Sequence, residues 1–157
     1  MKRSVAFLAV LLLTPKYRVH GPFELQTLKG LGEVSVLVES VDPKAVDIGL
    51  SIDQLKADVE LRLRQSRIKV TDNARSWVYV RLSTLKMNEE PAWVFHIRLE
   101  LDQAVHLDRN NLSAVAATWE TGGIAIVDEN RFVDTVRLNL RDDVDQFVND
   151  YLAANPK

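Results

Sequence analysis

Trp93–Leu107 reads WVFHIRLELDQAVHL. Trp93, Phe95, Ile97, Leu99 and Leu101 alternate with Val94, His96, Arg98, Glu100 and Asp102. A helix would scatter the first set around its circumference, whereas a strand places all of them on one face. The stretch is therefore expected to be a long central antiparallel strand, with one face on a core and the other open to water or a partner.

Working outward, Asn88–Pro91 is a turn, and Trp77–Leu82 before it alternates again. Val78, Val80 and Leu82 take one face there, and Trp77, Tyr79 and Arg81 the other. On the C-terminal side, Asp108–Asn111 is a polar turn. Ser113–Trp119 and Ile124–Val127 form a last strand, expected to be broken or bent at Gly122-Gly123. Three such strands joined by short turns make a meander. Upstream, Glu33–Val41 is a further strand, with Val34, Val36 and Val38 on one face. Pro22–Gly32 reads as a connector, and Asp42–Gly49, with Pro43, as a loop.

Two segments change period. Ser51 opens a helix with a capping-box pattern to Gln54, and Ile52, Leu55, Val59 and Leu63 fall on one stripe. Arg62, Arg64 and Arg67 suit its C-terminal end, which is placed near Ser66. Ile68 and Val70 begin a short extended piece. From about Asn130, the residues Val133, Val136, Leu140, Val144, Phe147 and Tyr151 recur at spacings of three and four. They predict a helix of roughly 24 residues, long enough to cross a whole sheet. The expected architecture is α+β, a two-layer sandwich in the order β-α-β-β-β-α. About four mainly antiparallel strands carry both helices on one face.

A chain of 157 residues with 46% apolar and 27% charged side chains has room for one domain with a proper core. It has no cysteine, which excludes disulfides, thiolate metal sites, thiol nucleophiles and lipid attachment through a cysteine. Lys2 and Arg3 precede the nine-residue apolar run Val5–Leu13, the pattern of a secretory signal and too short to span a bilayer. Cleavage is placed after Gly21, leaving a domain over 33–157 behind its connector. Removal of 1–21 takes four basic residues and no acid, so 16 basic and 22 acidic side chains remain, a formal net charge of −6. An acidic surface of that kind argues against nucleic acid and anionic lipid as partners.

Templates for catalysis fail one by one. His96 and His106 share strand parity but lie ten residues apart, about 33 Å along a strand, so they cannot share a metal. Ser83-Thr84-Leu85-Lys86 matches S-x-x-K only in letters, at a strand end rather than a helix start. Glu89-Glu90 sits in a turn, and Asp142, Asp143 and Asp145 are assigned to the outer side of the last helix as solvated acids. Gly30-Leu31-Gly32 precedes a strand, where a dinucleotide fingerprint needs a helix. Asn111-Leu112-Ser113 matches a glycosylation acceptor and is read as a turn. No metal and no cofactor are expected. The informative surface is the sheet face away from the helices, where Trp77, Tyr79, Arg81, His96 and Arg98 form a mixed aromatic and charged patch.

Four stretches carry a resemblance: GEVSVLVESV, GLSIDQLKADVELRLRQSRIKV, WVYVRL and VDQFVNDYLAANP. The resemblance covers residues 31–156. In them the chain resembles small exported bacterial proteins of unknown function. In architecture it is similar to α/β modules of envelope-assembly proteins, such as the N-terminal domain of the translocation protein TolB and the lipopolysaccharide-assembly lipoprotein. It departs from the lipoproteins in having no lipid-attachment cysteine. The resemblance brings no catalytic residues. It implies a periplasmic or secreted, non-catalytic binding or assembly module of the bacterial cell envelope, with an envelope protein as partner and no membrane span after cleavage. The competing expectation is a small secreted hydrolase or transferase.

Overall fold

The computed structural model describes residues 21–156; the expected signal segment lies outside the described residues but for Gly21. The elements are α1 (Pro22–Gln26), β1 (Glu33–Val38), α2 (Pro43–Asp47), α3 (Ile52–Gln65), β2 (Lys69–Val70), β3 (Trp77–Lys86), β4 (Ala92–Leu107), β5 (Leu112–Asp128) and α4 (Phe132–Ala154). A 3-10 turn, Glu129–Arg131, joins β5 to α4. The α+β class is as expected. Among the described residues the sheet is five-stranded and mixed rather than four-stranded and mainly antiparallel, in the order β2-β1-β3-β4-β5, with four α-helices rather than two.

The mixed character follows from α3. A helix between two strands carries the chain back to the end from which the first strand began, so the next strand runs parallel to the first. β2 and β3 accordingly flank β1, both parallel to it. The short turns at either end of β4 then force the antiparallel pairs β3–β4 and β4–β5.

The α3 boundaries agree with the caps. The Ser51 hydroxyl accepts from the Gln54 N–H, and Ser66 is the C-cap. Leu55, Val59 and Leu63 are buried, whereas Ile52, at the start of the expected stripe, is exposed. On α4 the buried set includes Phe132, Val136, Leu140, Val144 and Phe147. Both helices cover the face formed by Val34, Val36, Val78, Val80, Leu82, Trp93, Phe95, Ile97, Leu99, Leu101 and Trp119. Phe132 packs against Trp93 at 4.8 Å between ring centroids, and Phe147 meets Trp119 edge-on at 5.0 Å.

Three further expectations are corrected. β5 is continuous through Gly122-Gly123. Gly122 is there because a Cβ would lie 2.2 Å from the Ile97 carbonyl oxygen on β4, so it permits close pairing rather than a break. The irregularity is instead at Thr118, one extra residue between Trp119, opposite Leu101, and Ala117, opposite Asp102. Asp143 is buried, not on the outer side of α4. The segment read as a connector holds α1 and packs against the end of α4: Leu28 is fully buried, the Asn155 amide donates to its carbonyl (2.9 Å), and the Tyr151 hydroxyl to that of Leu31 (3.3 Å).

Candidate functional site

The sheet face opposite the helices is open among the described residues. In register across β1, β3, β4 and β5 it presents successive rows. Leu37, Tyr79, Glu100 and Glu120 form one row; Arg81, Arg98 and Gly122 the next; then Ser83, His96 and Ile124; then Leu85, Val94 and Ile126. All five residues expected there, Trp77, Tyr79, Arg81, His96 and Arg98, have that parity. Arg81 and His96 are exposed and the other three half-buried.

The face divides into two parts of different chemistry. The first is a ladder of charges. Glu100, only 3% exposed, takes Arg81 Nε at 3.1 Å and Arg98 Nε at 2.7 Å. Arg98 also donates from Nε to the Glu120 carboxylate at 3.1 Å. The Arg81 guanidinium lies 4.7 Å from the Tyr79 ring centroid. Each group shifts its neighbours. The hydrogen bond from Arg98 to Glu120 raises the Arg98 guanidinium further above its ordinary range. Burial, reinforced by Glu100, pushes the Asp102 carboxyl up, and burial with Glu39 nearby does the same to the Tyr79 phenol. Arg81 and Arg98 are thus already engaged with carboxylates of their own sheet.

The second part is apolar and lies outside the five residues expected there. Leu85, Ile124 and Ile126 are 66%, 59% and 64% exposed, around half-buried Val94. Leu85 lies beyond the expected end of its strand at Leu82, because β3 runs four residues further, to Lys86; Ile124 and Ile126 lie on the expected last strand, and only the pairing with β4 brings them beside Val94. Continuing the alternation of Tyr79 and Arg81 through Ser83 reaches Leu85, and pairing Val94 with Ile126 reaches the isoleucines.

Among the catalytic templates, Ser83 and Lys86 stand on opposite faces of β3, because three residues along a strand reverse the pleat. Ser83 does lie directly opposite His96. The acids of the same face, Glu100 and Glu120, are four residues further along their strands, about 13 Å away, with the arginine row between. Ser83 and His96 are both exposed, on a sheet surface rather than in a pocket. His106 lies on the far part of the β4–β5 hairpin, where Nε2 is 2.7 Å from Asn111 Oδ1.

That part, Gln103–Leu107 with Leu112–Ala117, pairs only with itself and extends past the end of β3 as a two-stranded ribbon. Its base is tied to the α1 segment. The Thr27 hydroxyl donates to the Thr118 carbonyl (3.2 Å), and the Gln103 amide donates to the Thr27 carbonyl (3.1 Å) and the Thr118 hydroxyl (2.7 Å). An open groove of about 390 Å³ adjoins it, lined in part by Lys29, Glu33, Arg75 and Gln103. No described helix is long and apolar enough to cross a membrane.

No protein-family model matches the chain, and no curated protein matches it. Solved structures with a similar fold include two PelC dodecamers from Paraburkholderia phytofirmans and a minor lipoprotein from Acinetobacter baumannii. The PelC chains are 14% and 13% identical, at TM-scores of 0.45 and 0.44, over 73% of this chain and 85% and 86% of theirs. The lipoprotein is 10% identical at a TM-score of 0.41, over 80% of this chain and 93% of its own.

Proposed function

We propose that this chain is an exported, non-catalytic binding module of a bacterial cell envelope, which meets a protein partner through the open face of its sheet. The observation that supports the reading is the apolar end of that face. Leu85, Val94, Ile124 and Ile126 lie side by side on three strands with no described helix over them, beside a charge ladder whose members satisfy one another. An uncovered apolar patch rimmed by polar groups is the usual form of a protein contact. In this reading the leucine and isoleucines supply the area that is removed from water. The ladder, with Glu39 and Asp102 beside it, presents a net acidic rim that suits basic groups on the partner. Export is supported by the basic start and apolar run of residues 2–13.

The test is affinity capture from the envelope of cells that make the protein. Leu85→Glu with Trp77→Ala alters exposed or half-exposed positions on this face and leaves the arginine–glutamate pairs intact. A partner that is captured by the native protein is expected to be lost by tenfold or more with the double variant, about 1.4 kcal/mol, while cooperative unfolding persists. Undiminished capture by the folded variant would remove the open face as the working surface.

A further inference from the structure

We propose that a second copy of this chain pairs with the free edge of β5, antiparallel about a two-fold axis at Ala125. The inference stands on that edge alone and does not depend on what the open face binds.

β5 is the last strand of the sheet and seventeen residues long, LSAVAATWETGGIAIVD. Edge strands of single-copy proteins are blunted by lysine, proline, shortness or cover. β5 has no lysine, arginine or proline, and its run Gly122–Val127 has no charge at all. The bulge at Thr118 and the α1 segment blunt its first half, through the Thr27 hydrogen bond to the bulge carbonyl. Nothing comparable protects Gly122–Asp128 among the described residues, so its outward N–H and C=O groups are left for another strand.

Parity and charge choose both the partner and the register. A pairing must put open-face side chains next to open-face side chains, so the axis passes through a residue and not between two. With the axis at Ala125, Ile124 of each copy stands opposite Ile126 of the other, twice over, and Gly122 stands opposite Asp128. With the axis at Ile124, Glu120 would face Asp128, a like-charge pair directly opposite, which is destabilising. With the axis at Ile126, Ile124 would face the Asp128 carboxylate. Only the Ala125 register pairs apolar with apolar and keeps the acids apart. The ladder then runs over seven residues and stops at the 3-10 turn after Asp128.

The helix layer leaves room for this. α4 covers β4 and β5, so the two α4 helices would lie two to three strand spacings apart, about 10–14 Å. Packed helices sit about 8–10 Å apart. The result is a ten-stranded sheet whose open faces join. The apolar row Leu85–Val94–Ile126 continues directly into Ile124 of the second copy.

The absence of cysteine makes the test clean. Full-length chains carrying Ile124→Cys or Ile126→Cys are exported, purified and oxidised, each alone and mixed. Directly opposite residues have Cα atoms about 4.5–5.5 Å apart, within disulfide reach, whereas diagonal ones at about 7–8 Å are not. The mixture is expected to give a disulfide-linked pair and the single variants little. Light scattering is expected to show a concentration-dependent dimer. Ile124→Lys with Ile126→Lys should weaken it at least tenfold, and mixing that protein with the matching double-glutamate variant should restore it. A monomer at every concentration overturns the proposal. So does a dimer that ignores the lysines and fails to cross-link in the mixture, because it would be joined elsewhere. A heterologous strand on this edge, with no self-association, overturns it as well. Loss of capture with an intact dimer, or the reverse, separates this failure from that of the open-face reading.

Discussion

Ile97 and His96 are neighbours on β4 that meet different solvents. Ile97 is buried against the helices, and His96 is exposed beside Ser83 and Ile124. Ile97→Ala removes a buried branched side chain and is expected to cost about 2–5 kcal/mol. His96→Ala is expected to cost under about 1 kcal/mol. Chemical denaturation of both variants measures the difference, and equal losses would contradict the assignment of faces. The glycine pair on β5 gives a sharper contrast. At Gly122 a Cβ would lie 2.2 Å from the Ile97 carbonyl oxygen, and at Gly123 it would meet nothing within 4 Å. Gly122→Ala should therefore cost at least the 1–3 kcal/mol typical of overpacking, on the order of a lost core methyl or more, and Gly123→Ala much less. Both glycines are conspicuous in the sequence. Alternation along one strand does not reveal which of them faces a neighbouring backbone, since that depends on the pairing with β4.

The elements themselves were legible because their periods are local. Ser51, Leu55, Val59, Leu63 and Ser66 mark out α3 almost to the residue, and Trp93–Leu101 gives the core face of β4 without error. What stayed hidden is held by contacts distant in sequence. β2 is legible only as the short extended piece at Ile68 and Val70; its place in the sheet comes from parallel pairing with Glu33 and Val34. Asp143 stands among acids in the sequence, next to Asp142 and near Asp145, and only the turn of α4 against the sheet shows it to be buried. The contact between the two long helices is also invisible in either stripe. Arg137 forks onto Asp58 at 2.8 and 3.0 Å, with Arg141 at 3.8 Å, and Arg62 pairs with Asp145. These pairs set α3 and α4 running parallel. The hydrogen bonds from Arg137 outweigh burial and hold the Asp58 carboxyl below its ordinary value of 3.8. A depressed folded value means that the pair stabilises the protein above the unfolded value and that this stability is lost as pH falls through the folded one. Asp58→Asn should thus be less stable than the native protein at neutral pH. The gap should narrow in denaturation curves taken below about pH 4; a gap independent of pH would show that the pair does not stabilise the helix contact.

At the scale of the molecule, the N-terminal stretch before β1 belongs to the fold and is more than a tether. Its composition, with Pro22, Gly30 and Gly32, reads as a loop. Leu28 and Leu31 nevertheless enter the same core as Leu63, Phe147 and Val148. Asn155, at the far end of the chain, binds both Gly30 N–H (2.7 Å) and the Leu28 carbonyl. At the start of α1, Gly21 N–H donates to the Glu24 carboxylate of its own turn, and Phe23 is 83% exposed. The order of these contacts divides two truncations. A chain beginning at Pro22 keeps the buried leucines and the hydrogen bonds to Tyr151 and Asn155. A chain beginning at Glu33 loses two buried leucines, each worth about 1.5–3 kcal/mol of transfer, and strips the end of α4 of its hydrogen-bond partners. The first is expected to unfold in one cooperative transition. The second should unfold several kcal/mol earlier, by the same leucine transfer scale, or fail to accumulate. Thermal and urea unfolding of the two forms decides this. Equal stability would mean that α1 and the residues after it rest on the surface of the domain without holding it together.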